Sequence, residues 1–181
     1  MKIKTFKTKL PIYTERFKIQ LLGSRDVEEY MKEIRKPYFT EYLDNRSIEK
    51  LSDFEVASRL RGLIQYYSSA NSIKYEIRLV IKDLENNMLG GVTLNPNLFN
   101  NDIEIGYWVK PEYQNNGIAT ESLLRITEFI GNVFKEVNTL TLRIQERNIK
   151  SLSVAGKCRF KALGYEPGTV GRTVRCVLIL K

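Results

Sequence analysis

Eleven consecutive residues have the types and spacing of a ligand-binding loop: Lys110-Pro111-Glu112-Tyr113-Gln114-Asn115-Asn116-Gly117-Ile118-Ala119-Thr120. They run straight into a helical pattern in which Ala119, Leu123, Ile126, Ile130 and Val133 step by four and three. The first turn of a helix has unpaired amides and a partial positive charge, which suits a phosphate. Gly117 can take a positive φ and let backbone approach a ligand closely, and Ala119 keeps the next turn narrow. The loop is neither a Walker A sequence nor a G-x-G-x-x-G fingerprint, so ATP and dinucleotide readings lose support. Taken alone, a glycine before a helix is equally a turn.

The chain has no histidine. That removes Ser-His-Asp and Cys-His mechanisms and H-E-x-x-H zinc sites, and no metal is expected. Proton transfers fall to carboxylates, hydroxyls, water or an amine. Cys158 and Cys176 lack the C-x-x-C spacing and are too few for a disulfide framework. The net charge is +8, and +5 of it lies in Met1–Lys18, where six Lys/Arg face Glu15 alone. Such a basic arm suits docking to a ribosome or another polyanion. It lacks interleaved aromatic residues, so a solvated edge, removable without loss of turnover, is the other reading.

The elements that must position the loop follow from periodicity. Arg16–Leu22 alternates as a strand, with Ser24 as N-cap of a helix to Arg35 that Lys36-Pro37 ends. Tyr38, Phe39 and Tyr42 follow in a loop or short turn. A second helix is predicted over Ile48–Tyr67, with Leu51, Phe54, Leu60 and Ile64 inward. Tyr75–Ile81, Met88–Leu94 and Asp102–Val109 read as strands, the first two joined by the polar connection Lys82–Asn87. After the helix, Val137–Gln145 alternates sharply, a short helix covers Asn148–Lys157, and strands Phe160–Glu166 and Arg172–Leu180 close the chain. The order is α/β (α+β) with a mixed sheet, and the crossover through the helix makes Ile103–Val109 and Val137–Gln145 parallel. With 181 residues, 43% hydrophobic and 28% charged, one soluble cytoplasmic domain over 1–181 is expected, with no membrane partner.

Ile103-Glu104-Ile105-Gly106-Tyr107-Trp108-Val109, Pro111-Glu112-Tyr113, Gln114-x-x-Gly117-x-Ala119, Thr120-Glu121 and Asn148-x-x-Ser151 together resemble the acetyl-CoA core of the GNAT (Gcn5-related) N-acetyltransferase superfamily. Within it, the chain is similar to the branch containing the ribosomal-protein N-terminal acetyltransferases, whose opening strand Thr14-Glu15-Arg16-Phe17 also resembles. The resemblance implies a central sheet of about seven strands, about four helices, and a splayed parallel strand pair that binds CoA. Acetyl-CoA would be the co-substrate. The backbone amides of Gln114, Asn115, Asn116, Gly117, Ile118, Ala119 and Thr120 would hold its pyrophosphate. The edge of Tyr107, Trp108 and Val109 would hydrogen-bond the pantetheine, with Asn148 and Ser151 along that arm. Asn148 equally reads as an N-cap and Ser151 as a first-turn surface hydroxyl.

The implied reaction is attack of a neutral amine on a thioester, so the amine needs deprotonation and the thiolate a proton. Glu104, where the strands part, is the expected base, with Ser151 near the leaving group; a strand carboxylate in an ion pair is the other reading of Glu104. Glu104, Gly106 and Trp108 share one face by alternation. The chain departs from the family at Ala155, where relatives often carry a tyrosine acid, at Arg159 in place of the usual glycine, and at Gly156 in place of an acidic residue. Tyr165 cannot simply be promoted as the acid. The acceptor stays open: a protein N-terminal amine, including a ribosomal one, or a small amine such as an amino acid, polyamine or drug. The net charge argues against a polycation. A non-enzymatic acyl-CoA-binding or nucleic-acid-associated module is the third reading. Monomer or homodimer are both compatible.

Overall fold

A computed structural model describes residues 3–42, 50–69, 75–97, 100–168 and 171–180. Its eight strands are β1 Ile12–Tyr13, β2 Phe17–Leu21, β3 Ile77–Asp83, β4 Met88–Asn97, β5 Asp102–Val109, β6 Thr139–Gln145, β7 Lys161–Gly168 and β8 Gly171–Ile179. They form one sheet in the order β1-β2-β3-β4-β5-β6-β8-β7, antiparallel except for β5 and β6. The described helices are α1 Ile3–Thr8, α2 Val27–Ile34, α3 Pro37–Thr40, α4 Asp53–Ser69, α5 Ile118–Val133 and α6 Ile149–Lys157. The sheet thus has one strand more than the expected seven. The surplus is β1, a two-residue strand too short to show any alternation. None of the described helices is long and apolar enough to cross a membrane.

Alternation divides the core in two. Ile77, Leu79 and Ile81 of β3, Ile103 and Ile105 of β5, and Leu140, Leu142 and Ile144 of β6 face α5 and α6. Val80, Met88 and Trp108 on the opposite face pack with Tyr30 and Ile34 of α2, Phe39 of α3 and Leu60 of α4. The predicted stripe of α5 holds: Leu123, Ile126 and Ile130 are buried, with Ala119 and Val133 packed beside them.

Three local expectations are corrected. Ser24 does not cap α2; it begins a single 3-10 turn, and the Asp26 carboxylate bonds back to the Gly23 amide at 2.9 Å. Helix α4 starts at Asp53 because Ser52 and Glu55 form a reciprocal cap, with Ser52 N to Glu55 Oε2 at 2.8 Å and Glu55 N to Ser52 Oγ at 3.3 Å. That start turns Phe54 to solvent, 78% exposed, and buries Val56 and Ala57 instead; Ile48 lies outside the described residues. The basic N-terminal segment is not a free edge either. Helix α1 buries Phe6 completely, stacked on Phe134 at 5.6 Å and edge-on to Phe129 at 5.4 Å.

Candidate active site

The one parallel pairing among the described strands is short. β5 and β6 are joined at Asp102–Thr139, Ile103–Leu140 and Glu104–Thr141, and there the ladder stops. From that point β5 stays with β4 up to the Val109–Gly90 rung, while β6 stays with β8 up to Gln145–Thr173. Two strands held by different neighbours diverge as the sheet twists. The gap opens a cavity of about 880 Å³, reached from both faces of the sheet. Tyr107 and Val109 wall it on one strand, and Leu142 and Ile144 on the other.

The phosphate-type loop closes one side. Gly117 has φ +78°, the left-handed conformation that favours glycine, and is the N-cap residue of α5. Its carbonyl accepts the Glu121 amide at 3.0 Å, so the amides of Ile118, Ala119 and Thr120 precede the first intrahelical bond. Gln114, Asn115, Gly117, Ile118, Ala119 and Thr120 line the cavity; Asn116 does not. The Gln114 side chain donates to the Val109 carbonyl at 3.0 Å, tying the loop to the end of β5. Asn115 also has a positive φ, 64°, which asparagine tolerates better than most residues.

Arg16 braces this loop, a role sequence reasoning missed. Its Nη1 donates to the Asn116 carbonyl at 2.9 Å, and its Nε to Glu121 Oε2 at 3.1 Å. The same guanidinium holds the Glu121 carboxyl below its usual range despite partial burial, which pushes the other way. The sequence signal was Arg16 itself, standing in the segment that resembled the family's opening strand.

On the second strand's side, Asn148 caps α6 through its Oδ1, which accepts the Ser151 amide at 3.1 Å. Both residues line the cavity. The Tyr107 hydroxyl donates to the Ser151 carbonyl at 3.3 Å, and burial pushes the phenol up to about 12. Ala155 is fully buried at the next turn.

Through the sheet, the opposite opening has different walls. Tyr38, Glu41 and Tyr42 come from α3 and the turn after it, Trp108 from β5, and Arg143, Gln145 and Arg147 from β6 and its end. Gln145 Nε2 donates to the Tyr42 carbonyl at 3.1 Å and Arg147 Nη2 to the Glu41 carbonyl at 2.9 Å, which pins α3 over the gap. None of these except Trp108 was singled out from sequence for the site, because their union depends on the sheet order. Trp108 packs edge-on to Tyr30 and Phe39, each at 5.6 Å, so its ring is mostly core. Glu104 lies on this face, at the last rung before the gap. It is ion-paired to Arg143, which Glu166 holds at 3.0 Å from the far side. Arg143 lines the cavity and Glu104 does not.

No curated protein matches the chain by sequence. Solved structures share its fold. RimL, the ribosomal L7/L12 alpha-N-protein acetyltransferase in complex with coenzyme A, superposes with TM-score 0.80 at 17% identity over 94% of this chain and 98% of that one. The ribosomal-protein-S5-alanine acetyltransferase of Vibrio fischeri gives 0.78 at 17% over 94% and 97%. The spermidine N-acetyltransferase of Vibrio cholerae, in complex with CoA and spermine, gives 0.73 at 18% over 92% and 97%. Identity this low carries the fold and nothing finer. The family itself is carried by sequence, since the family model described as acetyltransferase (GNAT) domain matches residues 16–161. The chain belongs to the GNAT acetyltransferase family.

Proposed function

We propose that this protein moves the acetyl group of acetyl-CoA to a primary amine, and that the amine is the N-terminus of a peptide or protein. The observation that carries the reading is the gap between β5 and β6, headed by the Gly117 turn of α5 and open to both faces. The α5 side suits the donor: amides and a helix N-terminus for the pyrophosphate, and for the pantetheine amides the gap-facing edge of β5 at Tyr107–Val109, where Gln114 holds the Val109 carbonyl. Asn148 and Ser151 would flank the same arm. The thioester then reaches the gap, and the amine meets it from the α3 side.

The acceptor side favours a peptide. Arg143 and Arg147 wall it, with Glu41 the carboxylate among its lining residues. A polyamine needs several carboxylates, whereas a peptide end brings carbonyl oxygens that guanidinium groups bind. Glu104 would take the amine proton through a water, since it sits one rung below the cavity. An amine of pKa ~10 is otherwise mostly protonated at neutral pH.

Thiol release from acetyl-CoA, measured with short peptides, free amino acids and spermidine, tests this. Peptides are expected to be the best acceptors. Turnover of spermidine alone would overturn the acceptor, and tight acetyl-CoA binding without turnover of any amine would overturn the enzyme in favour of a binding module.

A further inference from the structure

When the thioester breaks, its sulfur leaves as a thiolate and must gain a proton before the products part. Without histidine, the donor falls to a hydroxyl, an amine, a carboxyl or water at the cavity wall. Two hydroxyls meet on the α5 and α6 side of the gap. Tyr107 Oη donates to the Ser151 carbonyl oxygen at 3.3 Å, and both residues line the cavity. Tyr107 reaches there from the strand that ought to flank the pantetheine. Ala155, four residues past Ser151 on the same face of α6, belongs to the buried cluster against which the Tyr107 ring packs.

We propose that the Tyr107 hydroxyl is the acid that protonates the departing thiolate, with Ser151 returning its proton. The proposal rests on the acetyl-CoA reading above. The amine nitrogen forms the N–C bond, and the C–S bond breaks with its electron pair going to sulfur. Tyr107 passes its proton to sulfur and recovers one from water through Ser151. The surplus proton on nitrogen leaves on the acceptor side. Burial keeps the phenol protonated at neutral pH, so it is a donor when the sulfur needs one.

Tyr107→Phe removes one oxygen and keeps the ring. Its kcat is expected to fall ~10²-fold with the KM for acetyl-CoA little changed. A binding readout separates an acid from a spacer. The wild type should hold CoA several-fold more tightly than desulfo-CoA, through the hydrogen bond to sulfur, and the variant should bind the two equally. A variant with kcat within about threefold of wild type, or one that keeps the preference for CoA, would overturn the assignment. Should Tyr107→Phe fail to fold, Ser151→Ala is the second probe, expected to slow kcat by interrupting the proton return; an unchanged kcat would count against the relay and the acid alike. A wild type that binds neither CoA nor desulfo-CoA would instead remove the acetyl-CoA reading, and this proposal with it.

Discussion

At Glu104 the carboxylate is committed before any substrate arrives, because Arg143 holds it and Glu166 holds Arg143. All three side chains are roughly a third to a half exposed, so the pair contributes little to stability. Its worth would lie in position. Glu104→Gln keeps the shape and removes the basicity, so kcat should fall ~10²-fold or more with acetyl-CoA affinity unchanged. A loss under about threefold, with a raised KM for the amine, would make Glu104 an anchor for Arg143. The sequence showed which residue stood at the parting of the strands, and it could not show the arginine, which comes from β6. Gly117 was legible because only a glycine takes its φ of +78° without strain. Arg159, seen in sequence only as a departure, stands at φ +65° and carries the strain a glycine would not.

Helix α6 shows how an element departs from its family and still does its work. Its start is secured by Asn148, and its end turns through Arg159, with Phe160 N bonding the Ala155 carbonyl at 3.0 Å. Gly156 lies inside the helix, and a methyl group there would meet nothing within 4 Å. Gly156→Ala should therefore raise stability by ~0.5–1 kcal/mol and the melting temperature by ~1–4 °C in a chain of this length. A lower melting temperature would mean that the helix does not take a side chain at this position without strain. Long amphipathic elements such as α5 were readable from period alone, whereas α1 was not. Its Phe6 sits among lysines, and nothing local says that Phe134 waits across the core. Phe6→Ala should cost ~3–5 kcal/mol in denaturant unfolding, so removal of Met1–Lys9 should destabilise the protein rather than leave it untouched. An unchanged midpoint would return that segment to the surface.

For the whole molecule, the decisive feature is a sheet whose two halves part. Alternation identified the strands and the crossover made β5 and β6 parallel, both of which hold. The sequence could not show that they share only three rungs, because strand divergence is set by the neighbours β4 and β8 and by sheet twist. Nor could it bring Gln145 and Arg147 to α3, over a hundred residues away. The central claim is that the cavity between these strands takes acetyl-CoA with its pyrophosphate on the Gly117 turn. Titration calorimetry of acetyl-CoA into the wild type and into Gly117→Glu tests it most directly. A side chain at Gly117 is strained by the positive φ, fills the turn and adds negative charge where phosphate would sit. The wild type should bind one acetyl-CoA, and the folded variant should show almost no heat; equal affinity in both, with melting temperatures matched, would contradict the account.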